Sequence, residues 1–114
     1  EQVFLAGRDP VENNPEKIQK FLRACQKGFD FMQENPEEAL QILLNNQNAE
    51  NFPLSPTVET ASMGMLLPAM ETADAPFMSQ DTAVWQKNAD WLYEMGLLSE
   101  QADVSFMVVD LLAE

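Results

Sequence analysis

Few side chains in this sequence could carry out covalent or metal chemistry. The 114 residues contain one cysteine, Cys25, and no histidine. Histidine is the commonest general base and metal ligand, and a lone cysteine cannot form an internal disulfide. The carboxylates form no calcium-binding loop motif, and Glu37-Glu38 is the one adjacent acidic pair. The sequence therefore predicts no catalytic residue, no metal site, no cofactor and no enzymatic activity.

The charge of the chain excludes a second class of function. The net charge is −13, and residues 28–114 carry one lysine against fifteen carboxylates. Nucleic acids are bound through lysine and arginine, so we expect no nucleic-acid partner. The acidic majority is interpreted as a solvated surface that maintains solubility, in preference to a cation site. Four basic residues nevertheless share one side of a helix and could hold an anion, although such a stripe is more often simply the solvated face: Lys17, Lys20, Arg23 and Lys27.

Capping and proline signals divide most of the chain into helices. Asn14-Pro15 and Asn35-Pro36 each place a capping residue before a proline, which suits the first helical turn. We predict four helices, at residues 15–34, 36–45, 56–67 and 81–95. Asp81 should cap the last of them, Gly96 should take the left-handed position after it, and Pro68 should end or kink the third.

The segments between these helices are assigned from composition. Gln2–Ala6 is a short apolar run that fits a buried strand, and residues 45–53 and 69–79 are interpreted as loops, the second with a turn at Asp74-Ala75-Pro76. A short helix is expected from about Ser105. The predicted fold class is mainly α, with four to five helices and one short N-terminal strand, in a single domain or fragment covering residues 1–114.

Helical spacing of large apolar residues predicts the core: Ile18, Phe21, Leu22, Cys25, Phe29, Leu40, Leu43, Trp85, Leu92 and Met95. Cys25 lies on this apolar side and is interpreted as a small core residue. Trp85 and Trp91 share a helix face and could stack a flat ring, but a core role is the preferred interpretation. The methionines between residues 63 and 78 could line an adaptable binding surface, and core filling is again preferred.

Three sequence motifs together resemble a known family. Residues 14–29 read Asn-Pro-Glu-Lys-Ile-x-x-Phe-Leu-x-Ala-x-x-Lys-Gly-Phe, residues 34–39 read Glu-Asn-Pro-Glu-Glu-Ala, and residues 91–97 read Trp-Leu-Tyr-Glu-Met-Gly-Leu after Trp85-Gln86. This pattern resembles the C-terminal portion of the NMT1/THI5-like family, whose members have the α/β type II periplasmic-binding fold. Most of them are solute-binding components of ABC importers.

The resemblance implies a function that the residues alone do not. It implies a solute-binding component of an ABC importer, extracytoplasmic, with a permease as partner and a thiamine-precursor pyrimidine or related small molecule as ligand. The chain would be a C-terminal fragment, and since most ligand contacts in the family come from elsewhere, its ligand-binding residues stay unknown. The alternatives are a pyrimidine synthase of the same family, which would use histidine and iron, and a free-standing helical interaction module.

A fragment of such a fold should leave apolar surface uncovered. The expected Gln2–Ala6 strand would lack neighbours, and an unpaired strand is a template for pairing with another chain. We therefore expect the isolated chain to self-associate or to have a disordered N-terminus.

Overall fold

A computed structural model describes residues 3–70 and 75–112. Within these residues the chain is helical and contains no strand. The elements are α1 (Arg8–Asn13), α2 (Pro15–Glu34), α3 (Pro36–Asn45), α4 (Pro56–Met70), α5 (Thr82–Glu94) and a 3₁₀ turn (Val104–Phe106). The mainly α class predicted from the sequence is confirmed.

The chain forms two compact units. The terminal unit consists of residues 1–22 and 78–114, and the central unit consists of residues 23–77. In the terminal unit α5 packs against the 3₁₀ turn, and in the central unit α3 packs against α4. Whether residues 1–114 act as a single domain stays a prediction.

Helices α2 and α3 each begin at a proline and have the predicted bounds. Asn35 does not cap α3 with its side chain. The side-chain Nδ2 of Asn35 instead donates to the Phe31 carbonyl at 3.3 Å. The backbone carbonyl of Asn35 accepts the Ala39 N–H at 2.9 Å. The helix therefore starts through Pro36, whose fixed φ and missing N–H suit the first turn.

The fourth predicted helix is confirmed to within one residue at each end, as α5. The Asp81 carboxylate accepts the N–H groups of Ala83 and Val84, as expected of a cap. Gly96 has φ +72°, the left-handed conformation that glycine adopts without strain. The short C-terminal helix is a single 3₁₀ turn at Val104–Phe106, and Asp103 caps it through the Ser105 N–H at 2.9 Å.

Two features of the helices were not predicted, and each contains a proline. α1 was not expected, yet Pro10 lies in its first turn, where the missing N–H removes no helical bond. α4 continues through Pro68 to Met70. Pro68 is in the last turn, where it removes one helical bond, that to the carbonyl of Gly64.

The predicted N-terminal strand is wrong over residues 3–6, and Gln2 lies outside the described residues. These four residues are exposed, with Leu5 92% exposed. A strand needs a partner for its N–H and C=O groups, and no part of the described chain supplies one. Phe4 instead rests its ring edge against Phe21 of α2, with centroids 5.1 Å apart and planes at 87°.

The buried core is smaller than the helical pattern predicts. Phe29 and Leu40 are buried as predicted, and Ala89 and Val104 are buried although neither was expected. Five of the predicted core residues are half-buried: Ile18, Leu22, Cys25, Trp85 and Leu92.

Three predicted core residues are exposed, and these assignments are wrong. Phe21 is 51% exposed, Leu43 45% and Met95 61%. Helical spacing identifies the apolar side of a helix, but it does not show that the same chain supplies a surface to cover that side. The described residues leave these sides open to solvent.

Candidate functional site

Two grooves can be described among the residues of the central unit that the structure describes, and the first lies beside a stacked aromatic pair. The rings of Phe29 and Phe77 are 4.2 Å apart at 15° to each other. Gln26, one turn before Phe29 on α2, donates from Nε2 to the Phe77 carbonyl at 2.8 Å. Helix α2 thus holds the loop before α5 by one ring contact and one hydrogen bond. The groove has a volume of about 350 Å³, and its rim carries the exposed side chains of Asp30 and Gln33.

The second groove lies between the end of α3 and the loop that follows it. It has a volume of about 690 Å³ and a mainly apolar floor that includes Ile42, Leu43 and Leu54. Its rim is made of carboxamides and one exposed ring: Asn46, Gln47, Asn48, Asn51 and Phe52. No residue that lines it is charged.

Gln47 fixes the shape of this second groove. Its Nε2 donates to the Leu44 carbonyl at 2.9 Å, and its Oε1 accepts the Leu54 N–H at 2.6 Å. One half-buried side chain therefore closes the whole loop from α3 to the start of α4. Asn46 donates to the Ile42 carbonyl at 2.8 Å, so this part of the rim is also fixed to the end of α3.

Both grooves could contact a small molecule but neither encloses one. Their volumes lie in the range of ordinary ligand pockets, which bury most of a ligand's surface. Both grooves are open to solvent along one side. A carboxamide rim over an apolar floor suits an uncharged molecule with polar groups, because amides offer both donors and acceptors. The described residues therefore form open grooves and not an enclosed cavity.

The residues singled out from the sequence do not come together in a reactive site. Cys25 is half-buried and has no disulfide partner. In the described parts of the chain, no group of three or more acidic or cysteine side chains is arranged to hold a metal ion. The four basic residues of α2 are all exposed, as expected of a solvated face.

The two tryptophans do not form a ring-binding pair. Trp85 is half-buried and donates from its indole Nε1 to Gln80 Oε1 at 3.0 Å, whereas Trp91 is 52% exposed. The ring pairs formed by the described residues are Phe4–Phe21 and Phe29–Phe77. The interpretation of the two tryptophans as core residues is therefore only partly correct, because Trp85 is half-buried and Trp91 is exposed.

Among the described residues, one carboxyl group, that of Asp103, has a clearly shifted pKa. The Ser105 side chain and then its backbone N–H stabilise the Asp103 carboxylate and lower the pKa of that group below its ordinary value of 3.8. This carboxylate is fully exposed and caps the 3₁₀ turn, so it has a structural role. Among the described helices, none is both long and apolar enough to cross a bilayer.

Sequence reasoning missed the second groove because it treated residues 45–53 as an undistinguished polar loop. The signal was present: Phe52 stands in a loop where every nearby polar side chain except Glu50 is a carboxamide. It also missed the role of glutamine. Gln26 and Gln47 bind loop backbone in the central unit, and Gln19 and Gln86 do so in the terminal unit.

Comparison with known proteins agrees with the motifs. Residues 1–39 match the family described as NMT1/THI5 like. Over 92 residues, 81% of its length, the chain is 42% identical to a formylaminopyrimidine-binding protein of Halalkalibacterium halodurans. The matched part is 28% of that relative's length. No solved structure matches the chain significantly. These matches confirm the recognition made from the sequence motifs: residues 1–39 are similar to the NMT1/THI5-like proteins, and the chain is similar to part of a formylaminopyrimidine-binding protein.

Proposed function

We propose that this chain is part of a solute-binding protein that captures a formylaminopyrimidine or a related thiamine-precursor pyrimidine for an ABC importer. The observation that carries the proposal is the 42% identity over 92 residues with a formylaminopyrimidine-binding protein. Identity of this degree extends over 92 residues, 81% of the chain, and so concerns more than one motif. The partners would be the small molecule and a membrane permease, and the site of action would be extracytoplasmic.

The open grooves support a contribution to binding and not a complete site. A pocket that binds a small molecule usually buries roughly 70–90% or more of the ligand's surface. The grooves of the central unit are open along one side. We therefore infer that residues outside this chain complete the cavity, since the relative is more than three times as long as the part that matches it.

A binding role is favoured over a synthase role. The relative is named as a binding protein. A synthase of the same family would need histidine and iron, and residues 1–114 contain no histidine to offer. Any such activity would have to depend on residues outside this sequence.

Calorimetric titration with a formylaminopyrimidine tests the proposal. Two proteins are compared: the 114-residue chain, and the complete protein encoded by its reading frame. We expect saturable 1:1 binding to the complete protein and none to the chain alone. The matched control ligand is the same pyrimidine without its formyl group, which should bind more weakly. Absence of binding to the complete protein would refute the proposed ligand.

A further inference from the structure

Helix α4 has apolar residues on all of its sides. Between Pro56 and Met70 it contains one charged residue, Glu59, and its apolar residues favour no single side. A helix of this composition is normally buried all round, in the interior of a protein. Among the described elements of the central unit, its main packing partner is α3. Its composition and its packing therefore disagree.

The exposed side chains of α4 carry no charge, and its one charged residue, Glu59, is half-buried. Val58 is 57% exposed and Met65 is 77% exposed, and Leu66, which lies outside the arc defined next, is 57% exposed. We define the outer face of α4 as the exposed residues that span about half of the helix circumference at 100° per residue: Thr57, Val58, Thr60, Ala61, Gly64, Met65, Pro68 and Ala69.

Gly64 gives a second and independent indication. A glycine inside a helix destabilises it by about 1 kcal/mol relative to alanine, and it is often explained by close approach of another backbone. A methyl group at Gly64 would meet no heavy atom within 4 Å among the residues that the structure describes. Nothing in the described residues therefore requires glycine at this position. A surface that packs closely on the outer face would require it.

We propose that the outer face of α4 is an internal interface of a longer solute-binding polypeptide, covered by an uncharged apolar surface from outside residues 1–114. The length of the relative supports this occupant, since 92 matched residues account for only 28% of it. Charge disfavours a second copy of the chain, because two copies with net charge −13 repel each other. This inference rests on the proposed relation to a longer solute-binding protein, but it does not depend on the ligand.

The test places one charge on the outer face and the same charge elsewhere. Met65→Glu is compared with Gln41→Glu, an exposed position on α3 outside the outer face. Thermal unfolding is measured for the complete protein and for the 114-residue chain. We expect Met65→Glu to lower the unfolding midpoint of the complete protein by about 8 °C or more, because an unpaired charge would be buried. Gln41→Glu should change it by less than about 2 °C.

Gly64→Ala gives an effect of opposite sign in the two proteins. In the 114-residue chain it should raise the unfolding midpoint by about 4 °C, because alanine favours the helix and meets no neighbour. In the complete protein it should lower the midpoint, because the added methyl group would meet the covering surface. A reversal of sign is not expected from helix propensity alone.

Several results would overturn the proposal. One such result is that Met65→Glu and Gln41→Glu change the unfolding midpoint of the complete protein equally. Another is that the reading frame encodes no residues beyond the 114 of this chain. A dimer of the 114-residue chain in sedimentation, dissociated by Met65→Glu, would make a second copy the occupant. Titration with the formylaminopyrimidine separates this inference from the proposed function. If the complete protein binds the ligand but Met65→Glu lowers its unfolding midpoint no more than Gln41→Glu does, the interface alone is refuted. If Met65→Glu has the larger effect but the ligand does not bind, the ligand alone is refuted.

Discussion

Replacement of Gln86 by alanine should detach the C-terminal loop of the terminal unit from α5. The Gln86 Nε2 donates to the Ala102 carbonyl at 2.8 Å, and its Oε1 accepts the Val104 N–H at 3.1 Å. The same Nε2 lies 3.0 Å from Asp90 Oδ1. One side chain thus satisfies two backbone groups beside Val104, the most buried residue of the core at 5% exposure.

The magnitude follows from the two backbone hydrogen bonds. Each contributes about 0.5–1.5 kcal/mol net, so their loss should lower the free energy of unfolding by about 2 kcal/mol. For a domain of this size about 1 kcal/mol corresponds to about 4 °C, so the unfolding midpoint should fall by about 8 °C. The bond to Asp90 adds little, because Asp90 also accepts from Gln101 at 3.2 Å.

Hydrogen exchange and thermal unfolding measure this effect. The Val104 amide should lose most of its protection in Gln86→Ala, while the amides of α3 should keep theirs. Gln101→Ala is the matched control, since it removes one exposed hydrogen bond to Asp90 and should cost less than about 0.5 kcal/mol. Unchanged protection of Val104, or equal effects of the two variants, would show that apolar packing and not Gln86 holds the loop.

Three further predictions concern the core, a cap and one carboxylate. Phe29→Ala should destabilise the chain by about 3–4 kcal/mol, because Phe29 is buried and stacked on Phe77; chemical denaturation measures it. Asp81→Ala should cost about 1 kcal/mol by loss of the cap of α5, visible as reduced helicity by circular dichroism. Because folding lowers the pKa of Asp103, its stabilising contribution is present above its ordinary value of 3.8 and is lost as the pH falls through the lower folded value; the chemical shift of the Ser105 amide should follow this titration.

Each of these predictions has a control in the same chain. Phe52→Ala removes a ring that is 85% exposed, so its cost should be below about 0.5 kcal/mol. Asn35→Ala removes a residue that precedes a helix without capping it through its side chain, and it should cost less than Asp81→Ala. Asp103→Asn should abolish the pH dependence of the Ser105 amide. Equal costs within the first two pairs, or an unchanged titration in the third, would contradict the corresponding reasoning.

The helices were predictable wherever local chemistry decides them. Asp81 has a side chain of the right length to cap α5, Gly96 has the freedom to adopt φ +72°, and Pro36 suits a first turn. These signals act within a few residues and need no tertiary context. Pro68 misled because the effect of a proline depends on its place in the helix, which the sequence shows only after the helix bounds are known.

The groove side chains could not have been identified from local pattern. Gln47 closes its loop by binding Leu44 three residues before it and Leu54 seven residues after it. Gln26 reaches Phe77, 51 residues away. No periodicity or motif encodes such contacts, because a glutamine on a helix has the same local preferences whether its amide meets water or a loop carbonyl.

The exposed faces explain why the core prediction failed at particular residues. Phe21, Leu43 and Met95 lie on the apolar sides that helical spacing identifies, yet each is 45% exposed or more. The hydrophobic effect rewards removal of such side chains from water, about 25 cal/mol per Å² of apolar surface. It does not specify which polypeptide segment removes them. Helical spacing can therefore identify the apolar side of a helix correctly and still be wrong about its burial, if no segment of the same sequence covers that side. The outer face of α4 shows the same disagreement between apolar composition and exposure to solvent over a whole helix.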